Sequence, residues 1–176
     1  MPADTLTDRS AHRWLMELLD EHDAGHRLLH HPPEGRTAQA SALRGHPLRQ
    51  AAKCLVLRVA GGPGGRHHVL AVVPGDRRVD TDAVRALTGG SRAGFADRAS
   101  AERLTGCVSG SIIPFTFDPR LRLVVERDLL DEDEIYFNAA RLDRSVALST
   151  RAYRRIAAPL VAAIAGRGPV QKVMTP

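Results

Sequence analysis

Apolar positions near the start of the chain recur with the spacing of a helix. The i, i+3, i+4, i+7 and i+8 positions of one helix face are occupied by Ala11, Trp14, Leu15, Leu18 and Leu19. Gly25 follows this stripe and is a natural helix end. The pattern predicts an N-terminal amphipathic helix over about residues 7–25, with Trp14 on the face that packs into the core.

Shorter apolar runs bounded by glycine and proline predict β-strands. A first strand over residues 26–31 is closed by two prolines. The runs at 53–60 and 67–75 flank the glycine-rich segment 61–66, which predicts an antiparallel hairpin. Three further strands are predicted at residues 120–130, 134–140 and 144–149.

Capping residues mark further helices between and after these strands. Thr37 and Thr81 are the predicted N-caps of two helices, and a third short helix is predicted over residues 100–104. Ser149 is the predicted N-cap of a closing helix over residues 150–166, which Pro159 must kink or restart.

The order of these elements predicts the fold class and the domain organisation. Local hairpins with interspersed helices favour an α+β fold, a mixed β-sheet flanked by helices, over a regular βαβ alternation. No internal repeat or linker composition divides the chain, so residues 1–176 are expected to form a single domain. Residues 167–176 show no periodicity and are interpreted as a tail.

Composition limits the classes of partner. No apolar run reaches the roughly 20 residues of a membrane-spanning helix, and the first residues lack the pattern of a signal peptide. We therefore expect a cytoplasmic protein without a membrane partner, whose cysteines Cys54 and Cys107 are reduced thiols. The net charge of +5 favours a polyanionic partner, although the basic residues are dispersed along the chain.

Lysine is rare in this arginine-rich chain, and one lysine lies in an unexpected place. Lys53 and Lys172 are the two lysines, and Lys53 stands at the front of the apolar run "AAKCLVLRVA". A lysine there is either an edge residue whose ammonium reaches solvent or a fixed cation at the rim of a pocket, suited to a phosphate. The residues alone leave both interpretations open.

Motifs for metal, covalent or nucleotide chemistry are weak. His22 and His26 have helical i, i+4 spacing, but no glutamate accompanies them as in a zinc protease, so we expect no metal. Ser109 and Ser111 lack the strand-to-helix context of a nucleophile elbow. Phosphate-binding glycine fingerprints are missing as well, and no cofactor is expected.

Four segments, in order and in register, resemble the YbaK and prolyl-tRNA-synthetase-associated domain family of editing deacylases. They are "RQAAKCLVLRV", "AVVPGDRRVD", "GSIIPF" and "YFNAARLDRSVALS". The resemblance covers a core of about residues 30–157 and implies the mixed-sheet fold of that family. It further implies hydrolysis of the ester of mischarged tRNA, without metal or covalent intermediate, with the substrate's 2′-hydroxyl assisting an attacking water.

The resemblance also implies a set of site residues. The family's catalytic positions correspond to Lys53, Gly110 and Asn138. The resemblance implies that the lysine contacts the terminal phosphate or the ester, and that the GxxxP loop, residues 110–114 here, holds the ester and its attacking water. Read alone, Asn138 is equally a strand-end cap of the following turn. The implied substrate-binding residues are His31, Cys54, Ser109, Ser111, Ile112, Pro114, Phe115 and Ala139.

The implied protein is a free-standing trans-editing aminoacyl-tRNA deacylase that binds the acceptor end of a mischarged tRNA, with a synthetase as a further partner. Cys54 and the "NAA" segment depart from the family's usual residues, so alanine, serine, threonine, cysteine and proline analogues all stay open as the amino acid removed. Two alternatives are a non-catalytic module that binds tRNA or a synthetase, and a hydrolase of another small ester or amide.

Overall fold

The computed structural model describes residues 10–167, which contain five α-helices and eight β-strands. The helices are α1 (Ala11–Glu21), α2 (Thr37–Arg44), α3 (Thr81–Thr88), α4 (Arg98–Thr105) and α5 (Thr150–Ala157). The strands are β1 (Arg27–His30), β2 (Ala52–Ala60), β3 (His67–Pro74), β4 (Arg92–Phe95), β5 (Leu121–Glu126), β6 (Glu134–Arg141), β7 (Arg144–Ser149) and β8 (Leu160–Ala162).

The strands form two sheets rather than one. A five-stranded sheet has the order β4-β2-β3-β5-β8, in which β2 is antiparallel to β3 and β4 while β5 is parallel to β3 and β8. A second sheet, β1-β7-β6, is antiparallel throughout. The predicted α+β class, the mixed sheet and the β2–β3 hairpin are confirmed, and the split into two sheets is new.

Both faces of the five-stranded sheet are covered, because alternate residues of its central strands point to opposite sides. One face packs toward the second sheet in a large core that includes Val56, Leu70 and Phe137. The other face, with Leu57 and Val59, packs against α3 and the C-terminal segment. This double coverage explains why β2 and β3 read as nearly continuous apolar runs.

Helix α1 confirms the predicted amphipathic helix, with different bounds. Ser10 caps it, because its side chain accepts a hydrogen bond from the Arg13 amide at 3.3 Å. The helix ends at Glu21, four residues before Gly25, and its predicted start near residue 7 lies outside the described residues. Trp14 packs edge-on against Phe117, with ring centroids 5.1 Å apart.

The other helices begin close to their predicted positions, but two predicted caps are wrong. Thr37 and Thr81 are the first helical residues, and the side chain that caps α3 is Asp80. Helix α4 begins at Arg98, two residues before the prediction, because Asp97 caps it. Ser149 caps α5 as predicted.

Two strand predictions and the end of the last helix need correction. Strand β4 was not predicted, and the predicted strand over 120–130 ends at Glu126, where a 3₁₀ turn (Arg127–Asp131) begins. Helix α5 ends before Pro159, because Ala158 adopts a left-handed conformation with φ +43°. The following residues form β8 and pair with β5 instead of restarting a helix. The part of the predicted tail that follows residue 167 lies outside the described residues.

Candidate active site

A pocket of about 250 Å³ opens where β2 of the larger sheet approaches β6 of the smaller one. Its walls come from the first residues of β2, from the middle of β6, from one face of α2 and from two loops that contain Gly35 and Gly110. Five of the sequence-predicted site residues line this pocket: Lys53, Cys54, Gly110, Ile112 and Asn138.

Lys53 reaches the pocket from the second residue of β2, and carbonyl oxygens of the turn after β3 hold its ammonium. The ammonium donates hydrogen bonds to the Arg77 carbonyl and, at 3.5 Å, to the Gly75 carbonyl. Burial lowers the pKa of Lys53, while the nearby Asp76 opposes that shift and Arg78 adds to it. An ammonium has three hydrogens, so the two carbonyls leave one that can be donated elsewhere.

The turn that holds Lys53 is itself fastened to the C-terminal segment. The Arg77 guanidinium donates to the carbonyls of Gly166 at 3.0 Å and Ala165 at 2.9 Å, and pairs with Asp128 at 2.6 Å. The fully buried carboxylate of Glu126 in turn accepts two hydrogen bonds of 2.6 Å, from the backbone amides of Ile164 and Ala165. The position of the ammonium therefore depends on contacts that begin outside the pocket.

Gly110 occupies a position that only glycine fits. Its φ is +90°, and a Cβ atom built there would lie 2.8 Å from the Cα of Gly35 and 3.0 Å from its carbonyl oxygen. Gly35 is nearly as constrained, because its own Cβ would lie 3.3 Å from the Cα of Gly110. The two loops thus meet backbone to backbone, which leaves main-chain groups at the pocket wall.

Asn138 fastens these two loops to β6. Its side-chain nitrogen donates to the carbonyl of Glu34 at 2.8 Å and to that of Gly110 at 2.9 Å. Its side-chain oxygen accepts from the Ser145 hydroxyl at 2.9 Å and from Arg44 at 3.3 Å. Because both amide hydrogens have carbonyl partners, Asn138 is a residue that positions the loop backbone.

Arg44, which sequence reasoning missed, is the second cation of the pocket wall. Its guanidinium donates to Asn138, to the Ser145 hydroxyl at 3.2 Å and to Nε2 of His46 at 3.0 Å. Burial lowers the pKa of Arg44 to about 10, so the group is still charged at neutral pH. Burial and the neighbouring Arg44 also lower the pKa of His46, which agrees with a neutral ring that accepts at Nε2.

His31 lies behind the pocket wall rather than on it. Its Nδ1 contacts the Pro32 carbonyl at 2.9 Å, and its Nε2 lies 2.7 Å from the hydroxyl oxygen of Ser145. The Pro32 carbonyl only accepts, so Nδ1 carries a hydrogen. The Ser145 hydroxyl proton then has two acceptors within reach, His31 and Asn138, and it can serve one of them at a time.

The remaining implied substrate-binding residues do not line the pocket. The Ser109 amide donates to Glu102 at 2.9 Å, and Ser111 turns inward so that its hydroxyl donates to the Val108 carbonyl at 2.9 Å. The Pro114 carbonyl accepts from the buried Tyr153 hydroxyl at 2.7 Å.

Phe115 and Ala139 belong to the core between the two sheets. The Phe115 ring packs edge-on against Phe137 and Tyr153, with centroids 6.0 Å and 5.2 Å apart. Ala139 is fully buried, and its carbonyl oxygen lies 2.7 Å from Nδ1 of His12 on α1. The GxxxP loop thus contributes its first half to the pocket and its end to the core.

Cys54 gives the pocket an uncharged thiol. Its sulfur lies 3.5 Å from the Ala52 carbonyl, and burial raises the pKa of the thiol well above its usual range. Burial likewise raises the pKa of Cys107 to about 11. Both cysteines are free, as expected, and neither is a thiolate at neutral pH.

Helix α2 carries a signal that could have found the missed residues. Thr37, Ala40 and Arg44 line the pocket, and their i, i+3, i+7 spacing places them on one helix face. A small residue followed by a long cation on one face is compatible with an ordinary amphipathic helix. Arg44 is distinguished because it has no carboxylate partner among residues 10–167, and this property depends on contacts distant in sequence.

Residues 10–167 lack two further features. No group of three histidine, cysteine or acidic side chains is arranged to hold a metal ion in this part of the chain. None of the described helices is long and apolar enough to cross a membrane.

The two sheets and their covering helices form a small α+β domain, and its pocket is lined by backbone, amide and cationic groups. The sequence profile of the aminoacyl-tRNA editing domain matches residues 31–156. This chain belongs to the aminoacyl-tRNA editing domain family.

Sequence relatives of known function cover most of the chain. The multifunctional Ser/Thr-tRNA deacylase ProXp-y of Escherichia coli strain K12 is 43% identical over 149 residues, which span 84% of this chain and 89% of that protein. The ProXp-y protein of strain O157:H7 matches to the same extent.

Solved structures confirm the fold. A hypothetical protein known from its crystal structure superimposes with a TM-score of 0.77 at 25% identity, covering 86% of this chain and 99% of its own. A candidate trans-editing enzyme for prolyl-tRNA synthetase superimposes with a TM-score of 0.74 at 22% identity, covering 90% of this chain and 99% of its own.

Proposed function

We propose that this protein is a free-standing aminoacyl-tRNA deacylase that hydrolyses the ester of mischarged tRNA, with serine and threonine as the first amino acids to test. The observation that carries the proposal is the 43% identity to a Ser/Thr-tRNA deacylase over 89% of that protein's length. The pocket supports the proposal, because its groups suit the positioning of an ester and a water.

The chemistry of ester hydrolysis requires a placed nucleophile and a site that accepts developing negative charge. No carboxylate, and no histidine, is among the residues that line the pocket, so the pocket wall offers no obvious general base. The proposed mechanism therefore uses a positioned water, activated with help from the substrate's 2′-hydroxyl. Main-chain groups near Gly110 and the Lys53 ammonium are the proposed stabilisers of the oxyanion.

The size of the pocket agrees with a small aminoacyl group. A cavity of about 250 Å³ lies slightly below the range of roughly 300–1,000 Å³ that is typical of small-molecule sites. Apolar side chains of Ile112 and Phe137 stand beside the polar groups of Thr37 and Asn138. Such a mixed wall suits short side chains that carry a hydroxyl.

The test is deacylation of tRNAs charged with alanine, serine, threonine, cysteine and proline. We expect the wild type to release serine or threonine, Lys53→Ala to lose that activity, and the exposed Arg122→Ala on β5 to keep it. If wild type releases no amino acid while it still binds tRNA or a synthetase, the deacylase proposal is wrong and the non-catalytic module takes its place.

Two finer assignments belong to the same proposal. The substrate is expected to be held mainly by its acceptor end, since a domain of this size offers few other contacts, and binding should weaken strongly with salt. A synthetase partner and a cytoplasmic location stay predictions that the described residues do not test.

A further inference from the structure

Arg44 is a charged group of the pocket that the proposed hydrolysis leaves without a role. Its hydrogen-bond partners in the described part of the chain are neutral: Ser41, His46, Asn138 and Ser145. Among residues 10–167, no carboxylate lies within ion-pairing distance of its guanidinium, and the group that opposes the lowering of its pKa is the Tyr136 phenol rather than a carboxylate. Arg44 is partly buried, and an arginine withdrawn from solvent is ordinarily paired with an anion.

The surroundings show how this unpaired charge is tolerated. Arg44 is the last residue of α2, where the helix macrodipole presents partial negative charge to a cation. The neutral acceptors fix the Nε and Nη1 edges, whereas Nη2 has one long contact, at 3.5 Å to the Ser41 hydroxyl. Hydrogens on Nη2 are therefore the part of the guanidinium left for a ligand.

The electrostatic character of the pocket follows from two cations in its wall and from the lack of a carboxylate among its lining residues. Lys53 and Arg44 line it, and none of the lining residues is acidic. The carboxylate of Glu34, which precedes the lining residue Gly35, is already bound by Arg36 at 2.8 Å. A concave site with charge of one sign attracts the opposite charge, so this pocket favours an anion.

We propose that Arg44 binds the 5′-phosphate of the terminal nucleotide of the substrate, an inference that rests on the proposed function. The aminoacyl group itself carries a positive ammonium, which both pocket cations repel. Full negative charge at the acceptor end lies on the phosphodiesters, and a guanidinium is well suited to phosphate oxygens. This assignment leaves the free hydrogen of the Lys53 ammonium for the ester.

Binding of two probes tests this assignment without any catalysis. Wild type is expected to bind adenosine 5′-monophosphate more tightly than adenosine. Arg44→Gln is expected to lose about tenfold to a hundredfold of its affinity for the monophosphate, while its affinity for adenosine stays unchanged. Arg44→Lys, which keeps the charge, is expected to retain part of that affinity. Arg122→Gln removes an equal charge from an exposed position and serves as the matched control.

Hydrolysis of two small esters completes the test. Seryl-adenosine with and without a 5′-phosphate should differ in KM for wild type, and Arg44→Gln should abolish that difference, whereas Lys53→Ala should impair both esters. Equal binding of the monophosphate and adenosine by wild type would overturn the proposal, as would an equal loss on both esters in Arg44→Gln. Because the binding arm needs no turnover, failure of deacylation alone would count against the proposed function and not against Arg44.

Discussion

Gly110 and Gly35 lie in direct backbone contact, so close that a Cβ atom on Gly110 would stand 2.8 Å from the Cα of Gly35. The contact joins the loop before α2 to the loop after α4, which are far apart in sequence. It explains the glycine at the start of "GSIIPF": the position needs both a left-handed backbone and an empty side-chain site.

Gly110→Ala should therefore destabilise the protein by more than backbone strain alone. Gly45→Ala is the matched control, because Gly45 also has a positive φ, +72°, but has open space around its missing Cβ. We expect the free energy of unfolding of Gly110→Ala to fall about 1–3 kcal/mol below that of Gly45→Ala, the usual cost of overpacking. Urea unfolding measures both, and equal losses would contradict the backbone contact.

Asn138→Ala should release both loops at once. The variant leaves the Glu34 and Gly110 carbonyls without their donor, which should cost about 1–3 kcal/mol in unfolding free energy. Ser145→Ala keeps those two hydrogen bonds and should be less destabilised. Thermal unfolding and deacylation of both variants check this order, and a larger loss in Ser145→Ala would show that the loops depend on other contacts.

The Lys53 ammonium should titrate at lower pH than an exposed lysine. Burial lowers its pKa, so the charged form should disappear earlier as pH rises. The chain has only two lysines, so ¹³C-lysine labelling gives two signals, and Lys172→Arg assigns them. Coincident titration of both signals at the ordinary lysine value would mean that Lys53 is solvated rather than held in the turn.

Both cysteines should react slowly with alkylating reagents in the folded protein. Burial raises the pKa of each thiol, to about 11 for Cys107 and well above the usual range for Cys54, so little thiolate forms near pH 7–8. Thiol titration in native buffer and in urea should show slow and fast reaction respectively. Rapid native labelling of Cys54 would indicate a more open pocket than the structure shows.

Glu126→Gln should weaken the C-terminal segment. The buried carboxylate accepts two amides at 2.6 Å, and loss of its charge should cost about 1.5–3 kcal/mol in unfolding free energy. Glu132→Gln removes the surface ion pair with Arg49, at 2.9 Å, and should cost less than about 1 kcal/mol. Chemical denaturation compares them, and equal costs would mean that Glu126 contributes no more than a surface charge.

The sequence predicted those features that depend on short-range pattern. The β2–β3 hairpin and the place of Lys53 followed from apolar runs and glycine, and the family resemblance pointed to Gly110 and Asn138. The end of the GxxxP loop was assigned to the pocket, but Phe115 is drawn into the core by contacts with Phe137 and Tyr153.

Features that depend on long-range contacts were missed. The alanine-rich segment after Pro159 has the local composition of a helix, yet it pairs with β5 to form β8. Arg44 resembles any helical arginine until its neighbours are known to be neutral. Pairing across a sheet and the absence of a counter-charge are properties of the folded chain and not of a local window.

The chain of contacts from Lys53 through Arg77 to Ala165 and Gly166 has a practical consequence for engineering. These last residues lie outside the pocket, yet they hold the turn that orients its ammonium. A protein shortened before residue 165 would keep every residue that lines the pocket and still lose the support of the ammonium. Truncation limits for this domain should accordingly be chosen by the hydrogen bonds of Arg77 rather than by the last pocket residue.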